Sequence, residues 1–134
     1  MKHRLMVAAV ALAATGCAKN FAYIDGNRYF QAEMNTHSVI VLDIDGQSYA
    51  RNPVMVEPGK RVIRVQGPAA PGFRFGQDRT LTLDVKPCTR YYLKAVTPNA
   101  ISQEFTPMVD FEEPIAGCKA TGNGTEVSTG VSNR

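Results

Sequence analysis

The chain has 134 residues, 44% hydrophobic and 20% charged, with a formal net charge of +3 and no tryptophan. That is enough chain for one hydrophobic core and too little for a multi-domain protein. No apolar run approaches the roughly 20 residues of a membrane-spanning helix, and the small net charge says little about partners.

The first stretch sets the compartment. Lys2 and Arg4 supply a positive start, residues 5–14 are uncharged and mostly apolar, and Ala14, Thr15 and Gly16 are small. A charged start, a short apolar middle and a small-residue exit make a secretory signal, removed from the mature protein. Its end at Gly16-Cys17 resembles the lipobox of bacterial lipoproteins, with Ala14 where that family most often has Leu. The resemblance implies a signal peptide over 1–16 and a diacylglycerol on the Cys17 sulfur. Two or three acyl chains anchor stably where one holds only marginally. Ala18 stands where an Asp would retain an enterobacterial lipoprotein in the inner membrane. The implied place is therefore the bacterial outer membrane, lipid-anchored on the periplasmic side. Loss of Lys2 and Arg4 lowers the charge from +3 to +1, and nucleic acid is not an expected partner.

The chain carries three cysteines, an odd number that needs explaining in an exported protein. Acylation of Cys17 leaves Cys88 and Cys118, which pair in an oxidising compartment.

Residues 17–27 read as a lipidated tether that becomes the first ordered segment from Lys19 to Asn27, with a turn at Asp25-Gly26-Asn27. From 28 to 34, Phe30, Ala32 and Met34 alternate with Tyr29, Gln31 and Glu33, which predicts a half-buried strand. Residues 38–44 are rich in β-branched side chains and predict a strand. Asp45-Gly46 then signals a hairpin turn, with a short return strand over 47–51. Pro53 suits a sheet edge or a strand start. Val54-Met55-Val56, Pro58-Gly59 and the alternating run to Gln66 predict a second hairpin. Residues 67–76 form a Gly/Pro loop in which Phe73 and Phe75 are expected to be partly buried, an exposed patch being the alternative.

Residues 80–85 place Leu81, Leu83 and Val85 inward. Pro87-Cys88-Thr89 turns the chain into 90–96, a mostly apolar and therefore central strand. Residues 102–111, interrupted by Pro107, predict an edge strand or extended arm stapled at Cys118. The last stretch, 119–134, is rich in Gly, Ser, Thr and Asn and predicts a disordered tail. No segment carries a capped 3.6-residue period. Short strands separated by Pro/Gly turns predict an all-β fold, a small antiparallel β-sandwich of about seven strands within 28–118.

The run from Asp45-Gly46 through Asn52-Pro53, Val54-Met55-Val56, Glu57-Pro58-Gly59-Lys60, Gly72-Phe73 and the strands ending at Val85 and Val96 resembles the PEGA and carboxypeptidase-regulatory-like modules. These are transthyretin-like β-sandwiches of bacterial envelope proteins. The resemblance implies a non-enzymatic accessory, structural or adhesive role. It supplies no functional residues to carry over.

Candidate chemistry is sparse. His37 is the one histidine after the proposed cleavage point, and no base stands beside a nucleophile, so no catalytic residue is assigned. Asp43-Ile44-Asp45-Gly46 starts like a calcium loop, but Asn52 occupies the place of the required Glu. No metal site and no cofactor are expected. Asp110, Glu112 and Glu113 form an acidic cluster of the type used in glycan hydrolysis, with a solvated loop as the plainer reading. Lys60, Arg61, Arg64, Arg74 and Arg79 form a basic group able to meet anionic headgroups or cell-wall polymers, with the polar face of a strand pair as the plainer reading. Phe73 and Phe75 flank Arg74, a composition that interfaces favour. The candidate binding residues are Phe73, Arg74, Phe75, Arg61 and Arg64. The expected partners are the membrane through the lipid, and an envelope protein or a cell-wall polymer.

Overall fold

The structure, a computed structural model, describes residues 20–28 and 33–120. The proposed signal, Cys17, the centre of the expected strand over 28–34 and the tail from 121 onward lie outside the described residues.

Nine strands, and no helix, occur among the described residues. They are β1 (Ala22–Asp25), β2 (Thr36–His37), β3 (Ile40–Ile44), β4 (Gln47–Ser48), β5 (Val54–Val56), β6 (Gly59–Gln66), β7 (Asp78–Val85), β8 (Thr89–Val96) and β9 (Thr106–Pro114). They form two sheets. Sheet A joins β5, β1, β8 and β9, with β2 continuing beside β8 after β1 ends; sheet B runs β4-β3-β6-β7. All pairs are antiparallel except β1 with β8, which is parallel. The fold is the expected all-β sandwich.

The two inner faces make one core. Ala22 and Ile24, Val54 and Val56, and Tyr91, Leu93 and Ala95 point in from sheet A. Ile44, Ile63, Val65 and Val85 meet them from sheet B. Period-2 burial along β7 and β8 follows from the pleat, which sends alternate side chains to opposite faces. Leu81, Leu83 and Val85 face inward as expected, and β8 is central, with neighbours on both sides.

The hairpin at Asp45-Gly46 forms between β3 and β4. Both turn residues take positive φ, 51° and 81°, the pair required by a two-residue turn that matches strand twist. Its return strand is shorter than expected, ending at Ser48. The disulfide joins Cys88 to Cys118 across 30 residues, with 5.4 Å between Cα atoms. It pins the segment after β9 to the turn before β8, and β9 is an edge strand paired to β8 alone.

Four expectations are corrected. Pro58-Gly59 does not make a hairpin: β5 pairs with β1 in sheet A, whereas β6 pairs with β3 and β7 in sheet B. The turn is an arch between sheets, because Val54 and Val56 bury on one inner face and Ile63 and Val65 on the other. Arg61 closes this arch, donating from Nε to the Glu57 carbonyl at 2.9 Å and from Nη2 to the Pro58 carbonyl at 3.1 Å. The tether expected over 17–27 contains β1, whose Ala22 and Ile24 are fully buried. The sandwich therefore begins before residue 28. Met34 does not face inward; it is 94% exposed in a turn, where Asn35 takes a φ of 60°. Phe73 and Phe75 are exposed rather than partly buried, at 60% and 67%, because no strand carries them to the core.

Candidate functional site

The sandwich has two ends with different contents. At one end the Cys88 amide donates to the Phe21 carbonyl at 2.7 Å, and the Ile115 amide donates to the Cys88 carbonyl at 2.8 Å. The first described residues, the disulfide, the arch at Pro58-Gly59 and the Asp45-Gly46 turn all gather there. At the other end lie the β6–β7 loop, the β8–β9 loop and the segment from β2 into β3. Gly67 donates to the Gln77 carbonyl at 3.0 Å and closes the base of the β6–β7 loop. A Cβ on Gly67 would collide with the ring of Phe105, which comes from the β8–β9 loop; the close approach of the two loops requires glycine. The eight residues of β7 separate the ends, about 24 Å at the rise of an antiparallel strand.

The far end is the apolar tip of the molecule. Phe73, Phe75, Ile40 and Ile101 are all exposed there. The Arg74 guanidinium lies 5.6 Å from the Phe75 ring centroid and meets no carboxylate among the described residues. Beside them a shallow cleft of about 440 Å³ is lined by His37, Ile40, Pro68, Arg74 and Phe75. His37 itself stands 3.5 Å from the Thr97 hydroxyl.

Of the other basic candidates, Arg61 and Arg64 are engaged by acids. Arg61 Nη1 donates to Asp45 at 3.0 Å. Arg64 pairs with Asp43 at 2.6 Å and Asp78 at 2.8 Å; the Asp43 hydrogen bond is the main reason its pKa is raised. Arg79 donates to Gln77 Oε1 at 2.7 Å and lies over the Phe105 ring. Asp45 accepts the Val62 amide at 2.9 Å. That bond first, and Arg61 second, hold its carboxyl below the ordinary value. Asp43 and Asp45 thus serve the sheet B ladder and its turn.

The acidic cluster is divided among partners. Asp110 is the extra residue of a β-bulge opposite Tyr92 and Leu93, and it meets Lys94 at 3.1 Å and Arg28 at 3.6 Å. Glu112 takes Lys86 at 2.7 Å. Glu113 accepts the Tyr92 hydroxyl at 2.6 Å. Burial and that bond push the Tyr92 phenol up, and Glu33 and then Asp110 push the Lys94 ammonium up.

One network went unseen in the sequence. Asp25, nearly buried on the outer side of β1, receives Arg90 Nη2, Asn52 Nδ2 at 2.8 Å and the Asn27 amide at 3.0 Å. Asn52 in turn accepts the Gly26 amide at 3.0 Å. Its only sequence signal was an aspartate in an otherwise apolar segment. Compared with known protein families, known proteins and solved structures, the chain gives no significant match to any of them.

Proposed function

We propose that the chain is a lipid-anchored envelope protein, held at the periplasmic side of the bacterial outer membrane through an acylated Cys17. The sandwich acts as a non-enzymatic binding or structural module, an accessory part of a larger envelope assembly. The observation that carries this reading is the opposition of the two ends. The chain enters at Phe21 beside the disulfide, and the Phe73-Arg74-Phe75 loop is exposed at the far end. A module tethered at the first end presents the second to partners, and confinement to a membrane surface raises its effective concentration there. Exposed aromatics beside an arginine are the side chains that carry binding energy at interfaces. Kinship with PEGA-like modules belongs to this proposal and rests on the two-sheet fold, since Pro58-Gly59 is an arch.

Binding of peptidoglycan or an anionic glycan through the basic group has less support, because Arg61 and Arg64 already hold carboxylates. A glycan hydrolase built on Asp110, Glu112 and Glu113 has less still, because each is held by a separate partner.

The test is Cys17→Ser with cell fractionation. The variant should move to the soluble fraction with the sandwich folded and its disulfide formed. A folded variant that stays with the membrane contradicts the anchor.

A further inference from the structure

The outer faces of the two sheets differ in chemistry. On sheet B, Lys60 and Gln66 stand opposite Asp84 and Asp78, and Val62 and Arg64 opposite Thr82 and Thr80. That is a water-facing pattern. On the β1/β5 half of sheet A, Tyr23 and Met55 are register partners. The Phe21 ring packs edge-on against Tyr23, centroids 5.5 Å apart. Met55 is 59% exposed between buried Val54 and Val56. Open grooves flank it on both sides, about 680 Å³ against Phe21 and Pro58 and about 570 Å³ against Tyr23, Tyr49 and Arg51.

We propose that this face, centred on Met55, lies against the membrane leaflet that carries the acyl group of Cys17. The proposal rests on the lipid-anchor reading and adds an orientation to it. Chain length argues for this occupant. Residues 18–20 alone separate Cys17 from Phe21, so at about 3.6 Å per residue the reach is at most ~14 Å. Such a tether cannot hold the sandwich far above the headgroups, and Phe21 and Tyr23 are the first aromatic side chains it delivers to them. Phenol, thioether and aromatic ring with an arginine at the rim suit the interfacial layer, where one side is apolar and the other wet. Glu57 lines the first groove with its side chain 89% exposed, 3.9 Å from Arg61.

The face sits at the disulfide end, so this orientation leaves the Phe73-Arg74-Phe75 tip in the periplasm. Sheet B, with its paired charges, faces water.

The test uses the full acylated chain in vesicles of phosphatidylethanolamine and phosphatidylglycerol. Cys88 and Cys118 are bonded and Cys17 is acylated on this reading, so an introduced cysteine is the one free thiol. Nitroxide labels go on Met55→Cys, Val62→Cys and Phe75→Cys, all exposed positions. Collision with oxygen and with a water-soluble nickel chelate gives each label's depth. The Met55 label should favour oxygen, and the Val62 and Phe75 labels the nickel chelate. A Met55 label in water on a chain that floats with the vesicles overturns the orientation and leaves the anchor standing. A chain that does not float overturns the anchor and the orientation with it.

Discussion

Asp25 on β1 and Arg90 on β8 meet at 2.5 Å, tying the first strand of the sandwich to its central one. The two residues are 65 apart in sequence, and the strands they join run parallel. Asp25 also gathers Asn52 and Asn27, so one carboxylate fixes the end of β1 and the approach to β5. The Asp25 hydrogen bond is the main reason the Arg90 pKa is raised.

Removing that carboxylate should cost more than any surface substitution. Asp25→Ala leaves the partly buried Arg90 without its acid, a loss on the order of 3 kcal/mol. Urea unfolding monitored by circular dichroism checks this. A change below about 0.5 kcal/mol would mean that the network does not hold β1 in place.

The disulfide closes a loop of 30 residues. Cys88→Ala with Cys118→Ala should lower stability by about 3–4 kcal/mol in the chain-entropy model. Reductant should lower the unfolding midpoint of the native chain and leave that of the double variant unchanged. Equal midpoints for native and double variant under oxidising conditions would contradict it.

Asp45 gives a pH signature. Its folded pKa lies below the ordinary 3.8, so the folded chain prefers the ionised form. The stabilisation is present above about pH 3.8 and is lost as the pH falls through the lower folded value. Asp45→Asn keeps an amide oxygen and tolerates the positive φ, yet does not titrate. The two urea midpoints should differ near neutral pH and converge as the pH falls through the lowered folded value. A constant gap across that range would show that the charge of Asp45 is not what holds the turn.

Phe105 and Phe75 test which aromatics belong to the core. Phe105 is buried against Gly67, and Phe105→Ala should cost about 3–5 kcal/mol. Phe75→Ser should stay within about 0.5 kcal/mol, being 67% exposed. Comparable losses at the two positions would place Phe75 in the core.

Local features were legible in the residues. Alternation in β7, the mostly apolar run of β8 and the Asp45-Gly46 turn each depend on neighbours within a few positions, and each stands as read. The misreadings share a non-local cause. Pro-Gly turn chemistry serves a hairpin and an arch equally; which one forms depends on the sheets that receive the flanking valines. The strand Ala22–Asp25 is too short to show a period, and it gains its place from a parallel partner far along the chain. Arg61 and Arg64 read as members of a basic group, and the acids that hold them, Asp45, Asp43 and Asp78, lie 14 to 21 positions away. Met55 carried no signal beyond being the middle residue of a three-residue strand whose neighbours are buried.

The central claim is that the far end of an anchored sandwich meets a partner. Photo-crosslinking in intact cells tests it most directly, with a crosslinkable residue at Phe73 in one strain and at Val62 in another, followed by mass spectrometry of the adducts. The account predicts a discrete protein adduct from Phe73 and none from Val62. No adduct from Phe73, or adducts from Val62 alone, would contradict it.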